Sequence, residues 1–363
     1  MPAIRDGQIT VYYLFEIAEA VDLAAVTPAF GGQTATARFS PKPAAPAHVQ
    51  YQEPPLLVEG DAFNWPDVEG FRVRARIYNY GVVSLALTRP FAGDWTELLA
   101  WGQQLIGPDR LEHAAHACAR ALAERITPAL DQPRTTFLVE DYVVFGVTAF
   151  DSPTTAETLL DEHGTDIAHI LRGEPCGLSR QERDDVLRHR LSYLENDLVV
   201  PTWNAAFVYD TPAGLQAALE IFEFANSQLL EFRYYDALLD SELARIYADL
   251  QKPRWYDVFG RRRLRAANQL HSLFIDVNEL TDKMENALKL VGDVYAARLY
   301  GLIAARLGLE RWKANVEEKL ETLDDIYRFA VEQLQVARGH LLELTIIVIL
   351  VFELVLFFLG IMT

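Results

Sequence analysis

The chain has 363 residues, 50% of them hydrophobic, with 33 Lys and Arg against 51 Asp and Glu and a net charge of −18. That is too apolar for a disordered protein and long enough for two or three domains. The acidic balance argues against broad contact with a nucleic-acid backbone. Two cysteines, Cys118 and Cys176, exclude a disulfide framework and a cysteine-rich zinc site.

Residues 8–18 (QITVYYLFEIA) predict a strand, and the charges Glu16, Glu19 and Asp22 exclude a secretory signal there. The Pro- and Ala-rich stretch 40–55 predicts a surface loop or linker. Phe71, Val73, Ala75 and Ile77 then alternate with Arg72, Arg74, Arg76 and Tyr78. A period of two predicts a half-buried strand. Asn79-Tyr80-Gly81 can turn the chain into a second strand over 82–87. Asp94 can cap a helix through Leu105, and a further helix follows over 111–126. Thr136 to Phe150 predicts a strand, 154–172 and 180–192 helices, and 198–200 and 205–209 short strands. Hairpin signals favour an antiparallel or mixed sheet over a doubly wound one. Residues 1–210 are thus an acidic α+β head domain.

After Asp210 proline nearly vanishes and apolar residues recur at spacings of three and four. Phe222 to Leu250 carries one stripe and Leu270 to Val294 a second. The third runs through Val316, Leu320, Leu323, Tyr327, Ala330, Leu334, Ala337, Leu341 and Leu344. This predicts a long-helix bundle or coiled coil over 211–340. The last segment, 341–363, predicts a single membrane-spanning helix. Its 22-residue apolar run, Leu341 to Met362, would be about 33 Å long against a hydrocarbon core of about 30 Å. Leu341, Leu342, Ile346, Ile347, Phe357 and Phe358 would face lipid. Glu343 would snorkel, and Glu353 would be neutral or face another helix. Arg338 and His340 before the run place the bulk of the chain in the cytoplasm.

Residues with ligand chemistry fall in a few places. His113 and His116 share a helix at i, i+3, a spacing that permits two metal ligands, with no third in sight. The pattern favours a solvated helix face for them, and a core position for Cys118. His163, Asp166 and His169 form H-x-x-D-x-x-H, but steps of three drift around a helix and align the two histidines poorly. A satisfied core histidine fits His163 better. Cys176 has no adjacent base. Arg261, Arg262, Arg263 and Arg265 form a basic cluster suited to anionic lipid or RNA, or to a solvated helix end. The common phosphate-loop, dinucleotide, zinc-protease and nucleophile-elbow motifs are absent, and no cofactor is implied.

Several motifs stand in a specific order: YGVV at Tyr80 to Val83, LRGE at Leu171 to Glu174, LSY at Leu191 to Tyr193, and DLVV at Asp197 to Val200. WNAAFVYD at Trp203 to Asp210, LLEFRYYD at Leu229 to Asp236 and NALKLVGDVYAARLY at Asn286 to Tyr300 follow, before the ending LELTII at Leu342 to Ile347. From about residue 70 onward the chain resembles the "required for meiotic nuclear division"/YagE family. That resemblance implies an anchor or assembly factor without agreed catalytic residues. Its eukaryotic members are similar to proteins of the mitochondrial inner membrane that support translation, and this chain looks like a bacterial or archaeal member in the plasma membrane. The expectation is therefore a self-associating, tail-anchored membrane scaffold or assembly factor with a cytoplasmic head. Its partners would be the lipid bilayer, further copies of itself and a protein the sequence does not name. The alternatives are a membrane-tethered enzyme or ligand or metal sensor, and an RNA- or ribosome-associated anchor.

Overall fold

The computed structural model describes residues 3–30, 34–36, 54–59, 63–66, 68, 70–107, 111–174, 176–250 and 294–358. Elements are numbered along the chain. The strands are β1 (Ile4–Glu16), β2 (Ala20–Val21), β3 (Thr34–Thr36), β4 (Leu56–Val58), β5 (Arg72–Ile77), β6 (Val82–Gly93), β7 (Leu130–Asp131), β8 (Val139–Phe150), β9 (Leu198–Pro201) and β10 (Ala205–Tyr209). The helices are α1 (Leu23–Ala29), α2 (Trp95–Leu105), α3 (Glu112–Arg125), α4 (Ala156–Arg172), α5 (Arg180–Arg188), α6 (Pro212–Leu250), α7 (Val294–Leu307) and α8 (Leu309–Phe358). The fold is mixed α+β.

The main sheet has eight strands in the order β3-β4-β5-β6-β1-β8-β10-β9. Among the described residues only β10 and β8 pair in parallel, and the other neighbouring pairs are antiparallel. The β5–β6 hairpin turns at Gly81, whose φ of +88° is left-handed. A Cβ there would lie 2.0 Å from the Ala18 carbonyl oxygen, so glycine is required twice over.

β1 is central, and alternation assigns its residues to two covered faces. Ile9, Val11, Tyr13 and Phe15 join Val73, Ala75, Ile77, Leu85, Phe145 and Phe207 in one core under α2, α3 and α4. Asp94 caps α2 with a reciprocal bond from its own backbone N–H to Glu97. Gly102 lets α2 approach α4 closely, since a Cβ would fall 2.7 Å from the Ile170 carbonyl oxygen. On the opposite face, Tyr12, Tyr142 and Ser84 are buried beneath α6. The Tyr12 hydroxyl donates to the Leu219 carbonyl, Phe222 stacks on Tyr142 at 5.3 Å, and Leu215 fills the space above Gly146. The outer side of α6 meets α7, where the Tyr300 hydroxyl donates to Gln228.

The chain divides into two compact units, Met1–Tyr234 with Lys283–Lys313, and Tyr235–Asp282 with Ala314–Thr363. In the second unit Lys319 of α8 pairs with Asp236 and Asp240 of α6 at 2.7 and 2.6 Å, and Val316, Leu320, Leu323 and Leu239 are buried. The stripe expected from Leu270 to Val294, Val294 apart, and most of the 40–55 loop lie outside the described residues.

Among the described residues, no helix is long and apolar enough to cross a membrane. This overturns the membrane-spanning helix expected over 341–363, and with it the tail anchor and the single-pass plasma-membrane placement. Leu341, Leu342, Glu343, Ile346, Ile347, Glu353, Phe357 and Phe358 belong instead to the final turns of one 50-residue helix, α8. The physical reason is that two carboxylates divide the apolar run: the nine residues between Glu343 and Glu353 reach about 14 Å along a helix, against about 30 Å of hydrocarbon. The side chains of 353–358 lie outside the described residues.

Candidate functional site

The strongest concentration of buried polar chemistry lies between the sheet and α6. Arg74 and Arg76 sit on the same side of β5, and cross-strand pairing sets Ser84 beside Arg76 and Ala86 beside Arg74. These small residues leave room for α6 to lower Glu223 onto the sheet. The Glu223 carboxylate is fully buried, 3.5 Å from Arg76 Nε and 3.8 Å from Arg74. Tyr12 and Tyr78 flank it. Burial first, and then the Glu223 charge, raise both phenols far above the usual range, so both stay neutral. Tyr80 and Ser227 share a hydroxyl bond of 2.9 Å at the next turn of α6.

Two further arginine–carboxyl contacts lie close to α6. Arg233 pairs with Glu140 of β8, whose carboxyl is raised by burial against the opposing pull of that arginine. Arg134 bridges Glu16 of β1 and the Tyr234 hydroxyl, with its guanidinium over the Tyr234 ring. Burial pushes the Glu16 carboxyl up to about 8, while Arg134 pulls it down and Glu19 adds to the rise. Glu16 is therefore largely protonated at neutral pH in the fold and ionised in the unfolded chain. Protons are released on unfolding between roughly pH 4.5 and pH 8, so this group's stabilisation is full below that window and lost as pH rises through it. The melting temperature is expected to fall across that range, and Glu16→Gln to flatten the slope; an unchanged slope would show that Glu16 does not carry it.

This layer is covered over Glu223 and Arg76 and opens to solvent at Arg74. Its chemistry is that of a clamp between sheet and helix rather than of a pocket that admits a substrate. A shallow depression of about 500 Å³ lies elsewhere, lined by Asp22, Asn79, Asp131 and neighbouring apolar residues such as Val21 and Leu130. The Asp22 carboxylate there is already engaged in capping α1.

The sequence-predicted ligands do not converge. His113 is exposed on α3, while His116 contacts Glu112 at 3.4 Å and the Phe15 ring at 4.8 Å. Desolvation first, then Arg120 and His113, lower the His116 pKa. Cys118 is in the core, and burial pushes its thiol up to about 11; Cys176 is exposed. His163 is buried, stacked on Trp95 at 4.3 Å, with Nδ1 2.9 Å from Asp166. His169 turns away and accepts the Leu178 backbone N–H at 3.4 Å. Among the described residues no group of three His, Cys, Asp or Glu could hold a metal ion. Arg261, Arg262, Arg263 and Arg265 lie outside the described residues.

Tyr193, Leu194 and Trp203 are all exposed by more than half. They occupy the turns at the two ends of edge strand β9. The first turn is built rigidly: buried Asp197 accepts the backbone N–H groups of Tyr193 and Leu194 at 2.7 and 2.9 Å, leaving their side chains outward. The alternating arginines of β5 were the legible sign of the ionic layer. Nothing in the sequence marks Glu223 as their partner.

Residues 6–216 match the family described as "Uncharacterized protein MJ0711, N-terminal domain". The chain belongs to this family. A curated relative, the uncharacterized protein MJ0711 of Methanocaldococcus jannaschii, is 25% identical over 218 residues. That match covers 60% of this chain and 66% of the relative, just under two thirds of its length. No solved structure gives a significant match. The MJ0711 family region takes in every strand of the main sheet and stops in the first turns of α6. It holds the arginine half of the ionic layer, while Glu223, Ser227 and Arg233 fall beyond it.

Proposed function

We propose that this protein is an assembly scaffold that works by holding copies of itself together through its helical unit, rather than by catalysis. One observation carries the reading: the seven consecutive residues Ile346 to Phe352 of α8 are each 52–62% exposed. A helix that is apolar on every side needs to be covered on every side. The polar clusters support the same view, because the buried ones are engaged in seating α6 and the histidines are spread over separate contacts. The motif resemblance to the "required for meiotic nuclear division"/YagE family agrees, since it implies an assembly factor without agreed catalytic residues.

The test is the solution mass of the full chain. Sedimentation equilibrium is expected to give a multiple of 41.0 kDa, and a variant with Ile346→Gln, Ile349→Gln and Phe352→Gln to fall to the single-chain mass. A wild-type chain that stays at the single-chain mass across the micromolar range would sink the reading.

A further inference from the structure

The exposed side chains around β9 form one surface with α7, which packs beside that strand. At one end the exposed Tyr193 ring lies 5.7 Å from the ring of Tyr295, next to the exposed Val294 that opens α7. At the other end the Tyr142 hydroxyl is 3.0 and 2.8 Å from the Thr202 and Ala205 carbonyl oxygens, on either side of the exposed Trp203. Burial raises the Tyr142 phenol first, and the charge of Arg306 on α7 works against it, which places Arg306 near this second turn. From Tyr295 to Arg306 is about 16 Å of helix. α7 therefore spans the distance between the two aromatic ends.

The outer face of α7 carries Val294, Arg298, Gly301 and Ala305, all exposed and spaced four, three and four, while Tyr295, Leu299, Ile303 and Leu307 are buried opposite. A Cβ at Gly301 would meet nothing within 4 Å, so the helix backbone is open to close approach. The charges here are unusual for a chain of net charge −18. Among the described residues Arg190, Arg298 and Arg306 make no ion pair: Arg190 donates to the Leu187 carbonyl, and Arg306 Nε is buried without a hydrogen-bond partner. Of the nearby acids, Glu195 is exposed and Asp197 is spent on its own turn. The outer edge of β9 does not invite a further strand. Leu191 already takes both the N–H and the C=O of Val199, and Pro201 has no N–H to give.

We infer that this surface binds a short acidic segment of a partner protein, one that carries aliphatic or aromatic side chains between its carboxylates. The inference goes beyond the self-association reading and uses residues of the first compact unit alone. Carboxylates fit the arginines that the chain leaves unpaired, and apolar side chains cover Leu194, Val294 and the two aromatic ends. The span of about 16 Å matches about five extended residues. The Asp197 hydrogen bonds fix the first turn before anything binds, so little ordering is left to do there. Single-stranded nucleic acid fits less well. Leu194 and Val294 offer no ring for a base to stack on, and a net charge of −18 repels a polyphosphate.

The test is fluorescence anisotropy with the full-length chain and three labelled probes: a peptide of about a dozen residues alternating Glu or Asp with Leu and Phe, its Lys counterpart, and single-stranded oligouridine. The acidic peptide is expected to bind at least tenfold more tightly than either of the others, and to weaken severalfold as salt is raised. Trp203→Ala and Gly301→Glu should each weaken it about tenfold or more. Gly301→Glu is the decisive variant, because it fills open space on a helix and should leave the melting temperature unchanged or higher. Equal binding of the acidic and Lys peptides, or acidic-peptide binding that survives both substitutions, would overturn the inference. Tighter binding of oligouridine, lost in Trp203→Ala, would assign the surface to nucleic acid and overturn it too. A solution mass that drops in Gly301→Glu would give the surface to further copies of the chain, with the same result. A chain of single-chain mass that still binds the acidic peptide would support this inference while sinking the self-association reading.

Discussion

Arg76→Ala is expected to lower the unfolding free energy by about 3–5 kcal/mol, measured by urea denaturation followed through tryptophan fluorescence. The magnitude comes from what the substitution leaves behind. Glu223 is buried with no hydrogen bond of its own, and its nearest cations are Arg76 at 3.5 Å and Arg74 at 3.8 Å. Arg74 is 29% exposed, so its charge is partly spent on solvent, whereas Arg76 is 4% exposed. Truncating Arg76 strands a carboxylate in a low-dielectric layer. Removing both partners is a different matter: Arg76→Met combined with Glu223→Leu should recover most of the loss, because no stranded charge remains. A loss below about 1 kcal/mol in the single variant would mean that Arg74 alone satisfies Glu223.

Phe222→Ala is expected to cost a similar amount, about 3–5 kcal/mol. Phe222 is fully buried and stacks on Tyr142, whose hydroxyl lies 2.8 Å from the Ala205 carbonyl oxygen. The ring therefore couples α6 to the β8–β10 part of the sheet, and its loss opens a cavity that neither neighbour can close without breaking that bond. Phe222→Leu keeps most of the volume and should lose under about 1.5 kcal/mol. Hydrogen exchange gives an independent readout: the α6 amides around 219–226 should exchange faster in the alanine variant. Exchange spread evenly over the unit would show that Phe222 does not specifically seat α6.

Local sequence rules accounted for most of the strands and helices near the sheet. The Arg-Val-Arg-Ala-Arg-Ile alternation became β5, the Asp94 cap became the start of α2, and the strand expected over 136–150 became β8. Hairpin turns and caps depend on a few adjacent residues, so they are readable one window at a time. The same alternation misled in one respect. Arg74, Arg76 and Tyr78 read as the solvent side of a half-buried strand, yet Arg76 and Tyr78 are buried. The stripe on α6 misled in the same way. Its expected apolar face is buried, but so are Glu220, Glu223, Asn226, Ser227, Gln228 and Glu231 on other faces. Each pattern looked amphipathic alone because its polar residues were destined for the other element. Periodicity shows that a face is polar; it does not show whether water or a carboxylate 150 residues away will meet it.

The histidines make the same point from the opposite side. H-x-x-D-x-x-H suggests shared chemistry, but a helix turns by about 100° per residue, and His163 and His169 ended on different neighbours, Trp95 and the Leu178 backbone. Asp197, which looked ordinary, organises the turn that exposes Tyr193 and Leu194. The apolar run near the end of the chain was visible in composition alone, but the part it plays was not. Composition counts apolar residues, whereas reach depends on where Glu343 and Glu353 divide the run.

By itself, then, the sequence determined the acidic α+β character, the longer strands and helices around the sheet, the Asp94 cap, the turn at Gly81 and the four-three spacing along α8, because all of these are set by neighbours a few residues apart. Only the tertiary structure decided that the arginines of β5 face Glu223 and that the first turns of α6 are buried on polar and apolar sides alike. Those outcomes depend on which distant element arrives over a given face and how far it extends, and that is fixed by packing.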